Sequence, residues 1–98
     1  MNSKQLTITA TIIAKPENRE LVKQELLKLI PPTLKEEGCL NYDLHEDNTN
    51  TNRFFFYENW SNRELWLNHN ASAHIAAHKK ATEGAVLDVI IHEMSPVK

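Results

Sequence analysis

Gly38 and Gly84 are the only glycines in this chain of 98 residues. A phosphate-cradling loop needs several glycines so that backbone N–H groups can close on the phosphate, and a dinucleotide fold needs its own glycine pattern. NAD, FAD and nucleoside triphosphates therefore have no recognisable fingerprint. A single cysteine, Cys39, excludes an intramolecular disulfide, and neither a G-x-S-x-G elbow nor a Cys/His pairing marks a nucleophile. Long apolar runs are missing too. The longest, Ala85 to Ile91, is interrupted by Asp88 and falls far short of the roughly 20 residues that span a bilayer, so no membrane partner is expected. No basic-then-apolar leader precedes Gln5, so no signal peptide is expected and the chain reads as cytoplasmic. Excess positive charge is also absent. Eleven Lys and Arg face 13 Asp and Glu, a net charge of −2, which argues against nucleic acid. Lys4, Lys15, Arg19, Lys23, Lys28 and Lys35 are interspersed with carboxylates, the pattern of solvated helix faces rather than a binding stripe.

The length fits one domain, residues 1–98 with a core over about 5–94, and a domain so small buries a limited core. From Leu6 the chain alternates: Leu6, Ile8, Ala10, Ile12 and Ala14 on one face, Thr7, Thr9 and Thr11 on the other, a period-two strand. Pro16, Glu17 and Glu20 open a helix whose buried stripe is Val22, Leu26, Leu29 and Ile30. Pro31-Pro32 is expected to break or kink it, and after a short turn Gly38 caps it in a left-handed conformation. A strand over Cys39–Glu46 sets Leu40, Tyr42 and Leu44 against Asn41, Asp43 and His45. The polar tract 47–52 is a turn. The strand Phe54–Trp60 carries aromatics on both faces, which predicts that both are covered. Ser61-Asn62-Arg63-Glu64 reads as a capping box opening a second helical region, interrupted near Asn70-Ala71-Ser72 and closed by Gly84. Val86–Met94 is the last strand. The order β-α-β-β-α-β is the ferredoxin-like arrangement of an α+β protein. Helices cover one sheet face, and a second copy is the simplest cover for the other, giving a homodimer of the dimeric α+β barrel type.

Several side chains could carry chemistry. Trp60 shares a strand face with Glu58, Phe56 and Phe54. Its indole N–H could donate to an oxygen anion developing on a phenol or quinol, or the ring could simply be core. Trp66 on the following helix suits an interface or a core edge. His69, His74 and His78 make the second helical region histidine-rich. An imidazole that titrates near neutrality suits general acid–base work, whereas two helical histidines alone do not make a stable metal site, and none is expected. Tyr42 and Glu58 could transfer protons or orient a ring, with His69 or Arg63 as partners of Glu58 and a structural ion pair as the plainer role. Cys39, beside Glu36 and Glu37, is expected to be packed and unreactive. His45 and His92 sit in strands without obvious partners.

Thr33-Leu34-Lys35-Glu36-Glu37-Gly38-Cys39 with Tyr42, then Glu58-x-Trp60, then His69 and His74 resemble, in order and spacing, the antibiotic biosynthesis monooxygenase family, and its quinol monooxygenases in particular. The resemblance covers nearly the whole chain. It implies a homodimer with one pocket per subunit between sheet and helices. It also implies oxidation of a small aromatic, a quinol or polyphenol, by O₂ with no metal, flavin or other cofactor. In that scheme Trp60 orients the substrate and stabilises its anion, His69, His74 or Tyr42 manages protons, and Glu58, Phe56 and His78 bind the ring. The same resemblance admits alternatives. One is a non-catalytic small-molecule-binding dimer. Another is a heme-degrading relative, for which Ala76-Ala77-His78-Lys79 resembles a ligand segment although Thr7 to Thr11 offer no strand-one Asn. A third processes the phosphorylated autoinducer-2 signal, which would want more pocket cations than Arg53 and Arg63.

Overall fold

A computed structural model describes residues 4–97. The expected absence of a leader before Gln5 falls largely on residues outside that range. Four strands, β1 (Leu6–Ala14), β2 (Cys39–Glu46), β3 (Arg53–Trp60) and β4 (Val86–Met94), form one antiparallel sheet in the order β2-β3-β1-β4. Helices α1 (Arg19–Leu34), α2 (Arg63–Asn70) and α3 (Ala73–Ala81) complete the ferredoxin-like α+β fold. The helical interruption foreseen at 70–72 is real, since Ser72 accepts a hydrogen bond from the Ile75 N–H and starts α3 afresh.

Register explains why one face of the sheet is core. Ile8 lies opposite Glu58, Ala10 opposite Phe56 and Ile12 opposite Phe54. Across β3, Tyr42 meets Glu58 and Leu44 meets Phe56. These residues share the face that α1 covers with Val22, Leu26 and Leu29. Burying each large apolar side chain contributes about 1.5–3 kcal/mol, so this layer dominates stability. A smaller cluster of Leu6, Ile8, Trp60 and Trp66 continues it. Trp66 is thus core as well as cavity wall.

Three local expectations are corrected. Helix α1 runs through Pro31 and Pro32 to Leu34. The prolines withhold N–H groups from the carbonyls of Leu27 and Lys28, but this turn faces solvent, where water can satisfy them. The N-cap of α2 is Asn62, whose side chain accepts from the Leu65 N–H, one residue later than a box begun at Ser61 would place it. A bulge between Cys39 and Asn41 leaves Leu40 exposed instead of beside Tyr42 and Leu44. Tyr57, on the side of β3 away from the helices, is 43% exposed, so cover for that face has to come from outside the chain.

On β4, Leu87, Val89, Ile90, Ile91 and Met94 are all 40–62% exposed: Val89 and Ile91 lie opposite Ile12 and Ala10 on the helix side of the sheet, and Ile90 and Met94 opposite Thr11 and Thr7 on the outer side. The 47–52 turn is tied by Asp47, whose carboxylate accepts from the Thr49 and Asn50 N–H groups. Those bonds hold its pKa below the ordinary value.

Gly38 has φ +89°, and a Cβ there would run into the Leu65 side chain. Gly84 has φ +79° with open space around it. Gly38→Ala should therefore cost about 2–4 kcal/mol and Gly84→Ala about 1 kcal/mol, read as urea midpoints at unchanged m-value.

Candidate active site

Between the sheet and the helices lies a cavity of about 510 Å³, the size range of small-molecule sites. Ile8, Ala10, Ile12 and Phe56 form its floor, and Leu26, Leu29 and Ile75 its roof. Its polar atoms come from Glu58, His69, Asn70, His78, Lys79 and Glu93, with the phenol of Tyr42. The alternation of β2 and β3 that builds the core also aims Tyr42, Phe56 and Glu58 into this space. Val89 and Ile91 of β4 border its open side.

Glu58 is 4% exposed, and one of its oxygens accepts a 2.9 Å hydrogen bond from the Trp60 indole N–H. Two residues apart on a strand, the pair shares a face. Burial pushes the Glu58 carboxyl up to about 7, against the lowering effect of the indole and with a further push from Glu36. At neutral pH it is thus poised between a proton donor and an acceptor. Tyr42 stacks on Phe56 with centroids 4.2 Å apart. Burial, followed by the nearby Glu58, raises its phenol far above the ordinary value, so it acts as a neutral hydrogen-bonding group and not as a base.

A second assembly sits beside the first. Oε2 of Glu36 lies 2.6 Å from His69 Nδ1 and 2.8 Å from His74 Nε2. Glu36 follows the end of α1, His69 is in the last turn of α2 and His74 in the first turn of α3. Thr33, fully buried, places its hydroxyl 3.2 Å from His74 Nε2. His69 is 3% exposed and packs against Trp60 at 4.8 Å between ring centroids. Burial lowers its pKa, with the Glu36 hydrogen bond opposing, so the ring is neutral at pH 7. A carboxylate accepts only, so a neutral His69 carries its proton on Nδ1 and presents a lone pair at Nε2. Nε2 has no hydrogen-bond partner among the described residues, and it belongs to a residue lining the cavity. This is the carboxylate–imidazole arrangement that fixes a tautomer for general-base work.

Of the residues expected to form a site, Tyr42, Phe56, Glu58, His69 and His78 line this cavity, whereas Trp60 and His74 do not. Trp60 is fully buried and its N–H is committed to Glu58, so its route to a ligand runs through that carboxylate. Glu58 pairs with neither His69 nor Arg63; Arg63 instead donates to Glu93 at 2.7 and 3.2 Å. His74 faces a separate shallow pocket that it shares with His78. Burial lowers the pKa of His78, and its Nδ1 is buried without a partner. Cys39 is as inert as expected, since burial and then the neighbouring carboxylates push its thiol up to about 11. His45 and His92 are exposed on strands outside the site. Glu36, Thr33 and Lys79 were not anticipated. Glu36 entered the sequence reading as part of the Thr33–Cys39 motif and as a negative neighbour of Cys39, without a role in the site.

Residues 5–81 match the family model for antibiotic biosynthesis monooxygenase. The chain belongs to that family. Among the family's relatives, "Putative monooxygenase YcnE" of Bacillus subtilis is 34% identical over 93 residues, covering 92% of this chain and 98% of its own. "Probable quinol monooxygenase YgiN" of Escherichia coli is 28% identical over 101 residues, covering 93% and 97%. The crystal structure of PA3566 from Pseudomonas aeruginosa superposes with a TM-score of 0.93 at 31% identity, covering 98% of this chain and 97% of that one. A monooxygenase-like domain with a ligand-sized cavity is what both the family and the geometry support.

The Glu58 carboxyl titrates near 7 in the fold and near 4.5 when unfolded. The folded state then holds the extra proton between those values, so stability falls as pH rises from about 4.5 through 7. Glu58→Gln keeps an acceptor for the Trp60 indole while removing the charge. The variant should lose that decline and be more stable than the wild type above pH 7 by on the order of 1–3 kcal/mol, measured by urea unfolding across pH 5–8.5.

Proposed function

We propose that this protein is a cofactor-independent monooxygenase that oxidises a quinol or polyphenol-type aromatic with O₂. The observation that carries the reading is His69: its Nδ1 is anchored on Glu36 at 2.6 Å and its free Nε2 belongs to a residue of the cavity wall. In this scheme Nε2 takes a phenolic proton, which leaves an electron-rich phenolate against apolar walls. The phenolate passes one electron to O₂, the resulting semiquinone and superoxide recombine through a new C–O bond, and the ring hydroperoxide loses water. Overall, quinol and O₂ become hydroxyquinone and water, a four-electron oxidation for which O₂ is the sole oxidant. Glu58, titrating near 7, returns or accepts the second proton. Phe56 and the Tyr42 ring stacked on it favour a flat ligand. Neutral Tyr42 and His78 can hydrogen-bond a second ring oxygen, and the apolar floor suits O₂. Trp60 is a positioning residue that holds Glu58.

Two alternatives fit the cavity less well. A phosphorylated ligand would meet one cation, Lys79, against the carboxylates of Glu58 and Glu93, while Arg53 and Arg63 are outside the lining and paired with Asp47 and Glu93. For heme breakdown, the strand-one side chains in the cavity are Ile8, Ala10 and Ile12, with no amide among them.

The working unit in this reading is a homodimer. Its support is the row of half-exposed apolar side chains on β4 and the uncovered Tyr57 face. Among the described residues no helix is long and apolar enough to cross a membrane.

Metal-stripped protein should consume oxygen with hydroquinones or dihydroxynaphthalenes above their autoxidation rate. His69→Gln should cut kcat by about 10²–10⁴ with the melting temperature checked in parallel. The wild-type rate should fall as pH drops through the lowered His69 pKa and hold above it. Ligand binding with no protein-dependent uptake would instead establish the non-catalytic binding dimer. Sedimentation should give twice the chain mass, and Ile91→Lys should shift it toward the monomer.

A further inference from the structure

We propose that Glu36, His69 and His74 form a binding site for a divalent transition metal ion of the zinc class, and that its occupancy switches the neighbouring cavity off. One carboxylate oxygen and two imidazole nitrogens lie within 4.8 Å of one another, drawn from the loop after α1, from α2 and from α3. Two nitrogens and one oxygen are a donor set that Zn²⁺, Co²⁺ or Fe²⁺ accepts, with the remaining positions open to water. Around a tetrahedral ion with bonds of about 2.0 Å, neighbouring donor atoms stand roughly 3.3 Å apart. Glu36 Oε2 now lies 2.6 and 2.8 Å from the two nitrogens, so it needs to retreat by about half an ångström. Partly exposed Glu36 has room to do so.

Three further observations favour a cation at this point. The carbonyl ends of α1 and α2 lie at this cluster, two against the single N-terminal end of α3, and the last turn of α1 carries no basic side chain. The side chains of Glu36 and His74 are 17% and 24% exposed, so an ion can enter from solvent without crossing the core. The hydroxyls of Thr33 and Ser72 lie 3.2 and 3.4 Å from His74 Nε2, placed to accept hydrogen bonds from metal-bound water.

The switch follows from the tautomer and rests on the oxygenase reading above. When Nδ1 of His69 gives its lone pair to the metal, its proton moves to Nε2. The cavity then faces an N–H donor where it had an acceptor, and the base is lost. No bond to substrate changes, and nothing is oxidised or reduced.

The test begins with metal-free protein titrated with Co²⁺, followed by visible d–d absorption and then by displacement with Zn²⁺. One equivalent should bind with the intense absorption of a low-coordinate site. His74→Ala, a change at a partly exposed position, should weaken binding by roughly a hundredfold or more with the native circular dichroism spectrum retained, and Glu36→Gln by roughly tenfold or more. His92→Ala, remote from the cluster, should change nothing. Absence of saturable binding, or binding that His74→Ala leaves intact, overturns the site. Zn²⁺ should also abolish oxygen uptake in the wild type but not the residual uptake of His74→Ala. If Co²⁺ binds as described and no quinol is ever oxidised, the metal site stands and the oxygenase reading falls. If Zn²⁺ binds and uptake continues, the switch is overturned.

Discussion

A single oxygen atom, Oε2 of Glu36, ties together the end of α1, the end of α2 and the start of α3 by accepting from two histidines. Thr33 of α1 adds a hydrogen bond to His74, and backbone bonds from Ala71 and Ser72 to the end of α2 carry the chain into α3. The carboxylate is thus one of the ties that hold the helical layer above the sheet. It also decides which nitrogen of His69 is protonated. Removing one partner of such a half-buried charged assembly leaves the others unpaired, which costs more than the net value of the contacts themselves. Structural and chemical roles are here the same hydrogen bonds.

The two carboxylates of the site differ because their surroundings differ. Glu36 has two imidazoles at hydrogen-bond distance and some access to water. Glu58 has one neutral indole N–H and apolar neighbours. Burial penalises the charged form of Glu58 while a single neutral donor offsets only part of that penalty.

Much of this was legible in the residues. Alternation along β1 and β3, the polar 47–52 turn and the two glycines placed every strand, because those signals are local. Trp60 and Glu58 also carried a local signal, since positions two apart on a strand share a face, and the bond between them could have been read from it. Glu36 could not. Its contacts bridge 33 and 38 positions of sequence and depend on how α2 and α3 meet, which no periodicity records. Pro31-Pro32 misled for the opposite reason: a local breaker was tolerated because it fell in the solvent-facing last turn of a helix already held by its buried stripe. The exposed Leu40 reflects a bulge, and a single extra residue in one strand leaves the alternation beyond it unchanged.

A carboxyl titrating near 7 in the cavity means that ligand charge and protein charge are coupled. An aromatic that enters as an anion draws a proton onto Glu58 from bulk solvent, so the site remains close to electroneutral and an ion is received where a fixed charge would have repelled it. A neutral ring entering the same space has no such need and leaves the proton balance undisturbed. Binding heats for the two classes of ligand would consequently depend on the ionisation enthalpy of the buffer in one case and not in the other. Under the oxygenase proposal, a phenolate and a phenol would thus differ in how many protons the site exchanges with the solvent, before any bond has changed.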